Sequence, residues 1–142
     1  MKFIEKIVQT VGRKFLFTPD KKIMFGLIDY WMVMKEQNDT LSGDCDDFAM
    51  TVLWERCDRD LLSFIVNVVI LHRFRMYFAM TKTGERHIIG YADGIYFDNW
   101  TRVAFPRKEF LDKTEHKIWF FFPSPLMVIP MIVGLFMRSV KR

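Results

Sequence analysis

Residues 86–98 read RHIIGYADGIYFD and alternate between two faces on either side of Asp93-Gly94. An Asp-Gly pair between two alternating apolar runs is the strongest short-range signal for a β-hairpin with a two-residue turn. With that turn, the residue opposite Asp98 is two positions from His87, so both side chains point to one face of the hairpin. The stretch therefore predicts that His87 and Asp98 are diagonal cross-strand neighbours that can meet, whereas Asn99 points to the other face.

Helices and strands are segregated along the chain around this hairpin. Apolar spacing predicts helices over residues 3–12, 19–37 and from 46 onward, loops at 38–40 and 42–43, and strands over 75–80, 86–92, 95–98 and 117–122. The apolar run 61–71 fits either a helix or a buried strand. Helices that precede antiparallel strands indicate the α+β class.

The composition fits one folded domain. The chain has 142 residues, of which 51% are apolar and 27% charged, which excludes a disordered protein. The net charge of +4 is spread along the whole sequence and is not concentrated on one element. Nucleic-acid binding is therefore not expected.

The two cysteines are predicted to stay reduced. If one helix joins Cys45 and Cys57, they lie about 18 Å apart along its axis, whereas a disulfide needs Cα atoms within about 7 Å. Cysteines that do not form disulfides are typical of a cytoplasmic protein.

Cys45 is the candidate nucleophile. The run 43–49, GDCDDFA, predicts that a loop ends at Gly43 and a helix begins at Cys45. A thiol at a helix N-terminus faces the positive end of the helix dipole, which favours the reactive thiolate. The first-turn N–H groups can also face an oxyanion. A buried structural cysteine is the alternative.

His87 is the candidate base and Asp98 the carboxylate that orients it. His72 and His116 compete for the role of base, and both are expected to be solvated. The sequence has no Cys/His spacing typical of a zinc site.

These residues resemble a known family. Trp31, Glu36 and the run 41–49 (LSGDCDDFA) resemble the nucleophile region of the bacterial transglutaminase-like cysteine proteinases. His87 falls at the base position of that family, and residues 95–99 (IYFDN) resemble its strand that ends in Asp-Asn. The family usually has Ala-Val after the histidine, where this chain has residues 88–89, Ile-Ile. The length is that of compact members in bacterial viruses and their hosts.

The resemblance implies a papain-like core, in which a Cys-bearing helix packs on an antiparallel sheet that carries His and Asp. It implies a cysteine peptidase or transglutaminase-like hydrolase that acts on a protein or peptide amide through Cys45, His87 and Asp98. The oxyanion side chain is not clearly matched. Gln37 is a candidate by analogy with the glutamine of papain, and Trp31 is another, although its helical spacing also fits a core residue.

No cofactor is expected to be required. Some relatives bind calcium beside the nucleophile, and the matching positions here are Asp44 and Asp46. Two carboxylates fall short of the six to eight oxygens that calcium takes. The alternative is that acidic residues favour the first turn of a helix.

The C-terminal segment of the sequence is apolar and is interrupted by prolines. Residues 118–137 carry no charge, but prolines at 123, 125 and 130 divide them. We expect a peptidase domain over residues 1–122 and an apolar helix within 123–142 that packs on it, binds a partner or contacts a membrane through residues 124–142. The rival functions are a non-enzymatic protein-binding member of the same fold and a membrane-surface effector that uses its amphipathic ends.

Overall fold

The structure, a computed structural model, describes residues 3–19, 31–123 and 128–133. The helices are α1 (Phe3–Lys14), α2 (Cys45–Arg56), α3 (Leu61–Phe64) and α4 (Arg107–Thr114). The strands are β1 (Phe15–Phe17), β2 (Glu36–Gln37), β3 (Thr40–Gly43), β4 (Arg75–Met80), β5 (Arg86–Ala92), β6 (Ile95–Phe97), β7 (Ala104–Pro106) and β8 (Lys117–Phe121). The predicted α+β class is confirmed.

A five-stranded sheet holds the second half of the chain. Its strand order is β7-β6-β5-β4-β8, and all neighbouring strands are antiparallel. Ala92 pairs with Ile95 and Gly90 pairs with Phe97, so the predicted hairpin and its register are confirmed. A smaller sheet of order β1-β3-β2 joins the N-terminal segments.

The two faces of the large sheet are buried in different hydrophobic clusters. On one face, residues such as Ile88, Ala92 and Phe97 share a core with α1 and α2. On the opposite face, Ile89 and Tyr96 pack with Phe110 of α4. Because β5 is covered on both sides, its residues from His87 to Gly90 are buried on either face of the sheet.

Two sequence predictions between residues 31 and 43 are wrong. Residues 31–35 have no regular secondary structure and are not helical, because the backbone N–H groups of Met32 and Met34 donate to Asp47 Oδ1 (2.7 Å) and Thr51 Oγ1 (2.8 Å) on α2. Residues 36–37, predicted as helix, form β2, and residues 40 and 42–43, predicted as loop, belong to β3. The part of the predicted second helix at 20–30 lies outside the described residues.

Two apolar segments take helical form. The ambiguous run 61–71 is α3 followed by a π-helical segment, Ile65–Ile70. The α1 helix begins as predicted and buries Ile4, Val8 and Val11 in the core. The apolar face of α1 therefore packs on its own domain.

The described part of the C-terminal segment, residues 128–133, is helical. The carbonyl of Pro130 accepts a hydrogen bond from Trp31 N (3.1 Å), and Met131 packs on the core. This part therefore packs on the domain, which is one of the roles expected for it. The other residues of the predicted 123–142 helix after Pro123 lie outside the described residues. Across the described ranges, no helix has both the length and the apolarity needed to cross a membrane.

Arg56 ties the C-terminal end of α2 to the turn between β5 and β6. Its Nε lies 2.6 Å from Asp93 Oδ2 and its Nη2 3.2 Å from Oδ1, while the guanidinium covers the Phe3 and Phe74 rings at 5.5 and 4.9 Å. We expect Arg56→Ala to lower the free energy of unfolding by about 1 kcal/mol, because the ion pair is bidentate but partly exposed. Urea denaturation measures this change.

Arg59→Ala is the matched control for that variant. Arg59 lies beyond the C-terminal end of α2 and pairs with Glu55, four residues earlier, and its side chain is 70% exposed. Its loss should cost less than about 0.5 kcal/mol. Equal losses at the two positions would contradict a clamping role for Arg56.

Candidate active site

The hairpin brings His87 and Asp98 into direct contact. Nε2 of His87 lies 3.1 Å from Oδ2 of Asp98, and the two side chains are 3% and 0% exposed. This contact was predicted from the Asp93-Gly94 turn alone, and the prediction is confirmed. An ionised carboxylate only accepts hydrogen bonds, so the shared proton sits on Nε2 of the imidazole.

Asp98 has hydrogen-bond donors on both of its oxygens. Oδ1 accepts from the backbone N–H of Thr101 (2.9 Å) and from its hydroxyl (2.7 Å), and Oδ2 lies 3.0 Å from Nε2 of His116 as well as near His87. Burial alone would raise the pKa of Asp98, but the hydrogen bonds from His116, His87 and Thr101 hold that pKa well below its ordinary range. The carboxylate is therefore charged at neutral pH.

His116 is the member of this cluster that the sequence analysis missed. It was expected to be solvated, but it is 4% exposed. Its ring lies 5.0 Å from that of His87, 5.4 Å from that of Trp100 and 6.0 Å from that of Phe110. Trp100 also contacts His87 (5.4 Å) and is 53% exposed, so its indole separates both histidines from solvent.

Cys45 begins α2, as predicted, and its side chain is half-buried. Asp44 is the N-cap residue, but its side chain makes no capping hydrogen bond. The first-turn N–H groups of a helix lack partners within the helix, so this end can face an anion. Both cysteines are free thiols, as expected, and burial raises the pKa of Cys57.

Contacts along α2 place Cys45 at the His87 end of β5. The C-terminal residue Arg56 meets Asp93 in the β5–β6 turn, and α2 packs along β5. Eleven helical steps cover about 16 Å. Six strand steps back from Asp93 to His87 cover about 20 Å. From these ideal lengths we infer that the two candidate residues lie toward the same end of these elements.

A second chain of contacts leads from α2 to Asp98. Phe48 in the first turn of α2 packs edge-to-face on Phe15 at 5.0 Å, and the guanidinium of Arg102 lies 5.6 Å from the Phe15 ring. The backbone N–H of Arg102 donates to the carbonyl of Asp98 at 3.2 Å. The N-terminus of α2 is thus linked to the end of β6 that carries the carboxylate.

The thiol and the imidazole approach this end from different faces. His87 pairs with Ala79 and shares parity with Ile89, so it points to the face that α4 covers. The α2 helix packs on the other face, and Cys45 contacts the core of that face. Sequence periodicity could not predict this difference, because it does not say on which face a helix packs.

Among the residues that the structure describes, two groups have ligand-type atoms within 4.8 Å of one another. One consists of His87, Asp98 and His116, and the other of Asp44, Cys45 and Asp46. In the first group both imidazoles lie at hydrogen-bond length from one oxygen, so we interpret it as a hydrogen-bonded network. In the second group Cys45 Sγ lies 4.0 Å from Asp46 Oδ1. Calcium binding by Asp44 and Asp46 stays a prediction.

The other candidates lie in different environments. Trp31 is 5% exposed and packs edge-to-face on Phe122 at 4.9 Å, which is the core position that its spacing also allowed. Gln37 is exposed on β2 and pairs with Thr40 at the start of β3. Thr40 and Gly43 are three residues apart on β3, so Gln37 lies about 10 Å from Gly43 along the strand direction. His72 is half-buried, and its ring contacts Phe121 at 5.5 Å. An oxyanion role for Gln37 or Trp31 stays a prediction.

No model of a known protein family and no curated protein matches this chain. The function is therefore argued from the site itself.

Proposed function

We propose that the protein is a thiol-dependent acyl-transfer hydrolase, most simply a cysteine peptidase with Cys45 as nucleophile, His87 as base and Asp98 as orienting acid. The observation that carries this proposal is the buried pair of His87 Nε2 and Asp98 Oδ2 at 3.1 Å. This contact fixes one imidazole nitrogen on the carboxylate and leaves Nδ1 as the nitrogen that accepts a proton.

The proposed reaction uses each group once in acylation and once in deacylation. The Cys45 thiol gives its proton to His87 Nδ1, and the thiolate sulfur bonds to the carbonyl carbon of a peptide amide. The C–N bond then breaks as the imidazolium returns the proton to the leaving amine. Water, deprotonated by His87, adds to the carbonyl carbon of the thioester. The C–S bond then breaks, the acid leaves, and the imidazolium returns the proton to the Cys45 thiolate.

The first turn of α2 supports the same reaction. Backbone N–H groups at a helix N-terminus can donate to the oxyanion that forms when sulfur attacks the carbonyl. Cys45 is the first residue of that helix, so the sulfur and these donors belong to one turn. Asp98 stabilises the imidazolium because it remains charged in its buried position.

The proposal sets one geometric requirement. His87 and α2 lie on opposite faces of the sheet, so Nδ1 must reach the thiol past the end of β5. Contact between the two groups would make the reactivity of Cys45 depend on His87. This dependence can be measured without knowing the substrate.

The test is the pH dependence of alkylation by iodoacetamide, followed at each cysteine by mass spectrometry, in wild type and His87→Ala. We expect Cys45 to react well below the free-thiol pKa of about 8.5 because of a thiolate–imidazolium pair. We expect His87→Ala to remove this low-pH reactivity. Cys57 should react only at high pH in both proteins, because burial raises its pKa.

His72→Ala is the matched histidine control and should leave the profile of Cys45 unchanged. If Cys45 reacts like an ordinary or buried thiol in both wild type and His87→Ala, the enzyme proposal is wrong. If the alkylation profiles agree with the enzyme proposal, Cys45→Ala should abolish hydrolysis of a peptide substrate, whereas Cys57→Ala should have no effect on it.

A further inference from the structure

Asp98 is held by more donors than a base–acid pair requires. The Thr101 N–H and hydroxyl fix Oδ1, and Nε2 of His87 and of His116 both lie within 3.1 Å of Oδ2. Removal of either histidine would leave the buried oxygen with one imidazole partner. The position of Oδ2, and with it the position of the His87 ring, therefore depends on His116.

The elements that flank His116 in the sequence, and the aromatic rings around it, fix its position. It lies between α4 and β8, its backbone N–H is 3.3 Å from the Thr114 hydroxyl, and its ring touches those of Phe110 and Trp100. The titratable groups that face its imidazole are Asp98 and His87. The ring is therefore directed at the carboxylate by apolar packing.

The hydrogen bonds fix the tautomers of both rings. Because the charged carboxylate only accepts, each Nε2 must carry a hydrogen, and in the neutral ring Nδ1 carries none. For His87 this leaves the proton-accepting nitrogen on the side away from Asp98. For His116 it leaves a buried Nδ1 that has no hydrogen-bond partner among the described residues. Such an unpaired atom is costly, which points to a role for the ring.

We propose that His116 is a positioning residue, which holds Asp98 so that His87 stays in the Nε2–H tautomer with Nδ1 available as the base. This inference rests on the proposed function for the role of His87 as base. His116 would be a fourth residue of the site. It does not touch the reacting atoms, but it determines the tautomer of His87, which does.

The test compares His116→Phe with His116→Gln. Phenylalanine fills the space without a donor, whereas the glutamine amide can still donate to Asp98. We expect His116→Phe to slow alkylation of Cys45 at neutral pH about 10-fold and to shift the pH profile, because a hydrogen bond to a charged group is lost. His116→Gln should keep most of the wild-type rate.

Imidazole nitrogen NMR on the full-length Cys45→Ala variant gives a readout that does not depend on the thiol. The protein has three histidines, so single His→Gln variants assign the signals. Without the thiol no thiolate–imidazolium pair forms, so at about pH 8, where histidine is ordinarily neutral, His87 and His116 of Cys45→Ala should both show a protonated Nε2. When His116→Phe is added to Cys45→Ala, His87 should become a mixture of tautomers, and thermal unfolding monitors whether the variant is folded.

The outcomes separate this inference from the function on which it rests. If His87→Ala slows alkylation but His116→Phe changes neither the rate nor the tautomer, His116 has no positioning role and the enzyme proposal stands. If His87→Ala has no effect, the enzyme proposal falls and the tautomer of His87 alone decides the role of His116. A wild-type signal that changes on dialysis against EDTA would show that a metal holds the cluster, and would overturn the inference.

Discussion

Asp98→Ala is expected to lower the free energy of unfolding by about 3–5 kcal/mol, because it removes one side of a buried, hydrogen-bonded polar network. The variant would leave His87 Nε2, His116 Nε2 and both Thr101 donors without their acceptor in a site closed to solvent. Urea denaturation at neutral pH measures the loss. If the enzyme proposal is correct, Asp98→Asn should also slow acyl transfer by about 10⁴-fold through the wrong histidine tautomer.

Asp112→Ala is the control for this variant, because Asp112 is an exposed aspartate on α4. Its effect on stability should stay within about 0.5 kcal/mol. A loss at Asp98 no larger than the loss at Asp112 would show that the carboxylate is not part of a stabilising network.

The stabilisation by Asp98 should also depend on pH in a defined direction. Its folded-state pKa lies below the unfolded value of about 4, so its contribution is fully present above that value and is lost as the pH falls through the folded pKa. The stability gap between wild type and Asp98→Asn should therefore not narrow until the pH is below about 4. A gap that narrows between about pH 7 and 5 would contradict this assignment.

Gly90→Ala is expected to lower the free energy of unfolding by about 3 kcal/mol through overpacking. A Cβ at Gly90 would overlap Cε2 and Cζ of the Phe97 ring on the neighbouring strand. Phe97 is fully buried in the core shared with α2, so its ring has no free space to enter. Thermal or urea unfolding of the variant measures the effect.

Two variants separate this steric effect from the general cost of replacing glycine. Gly84→Ala meets no atom within 4 Å but has a φ of +83°, so it should cost only about 1 kcal/mol from backbone strain. Gly90→Ala combined with Phe97→Leu should lose less stability than the sum of the two single changes, because the smaller side chain relieves the clash. Simple additivity would exclude the clash as the cause.

Local rules predicted the hairpin and the contact within it. The Asp93-Gly94 turn and the period of two fix the register without help from the rest of the chain, and with it the meeting of His87 and Asp98. The start of α2 at Cys45 followed in the same way from the glycine and the acidic residues around it. These features depend on residues that are close in sequence.

The sequence predictions that are wrong concern residues whose structure depends on contacts with distant parts of the chain. Residues 31–35 have helical apolar spacing, but side chains of Asp47 and Thr51 take the backbone N–H groups of Met32 and Met34. His116 could not be assigned to the site because it reaches Asp98 only after β8 pairs with β4. No short-range sequence pattern predicts the pairing of β8 with β4.

The position of His116 sets an order for assembly of the site. His87 and Asp98 can meet as soon as their hairpin closes, which is a local and fast event. The last donor to Asp98 arrives only when β8 closes against β4, in which Lys117 lies opposite Met80 across an intervening 36 residues. A nascent or truncated chain that ends before β8 would hold a carboxylate that lacks one of its donors. The pairing that adds β8 to the edge of the sheet is therefore also the one that brings His116 to Asp98.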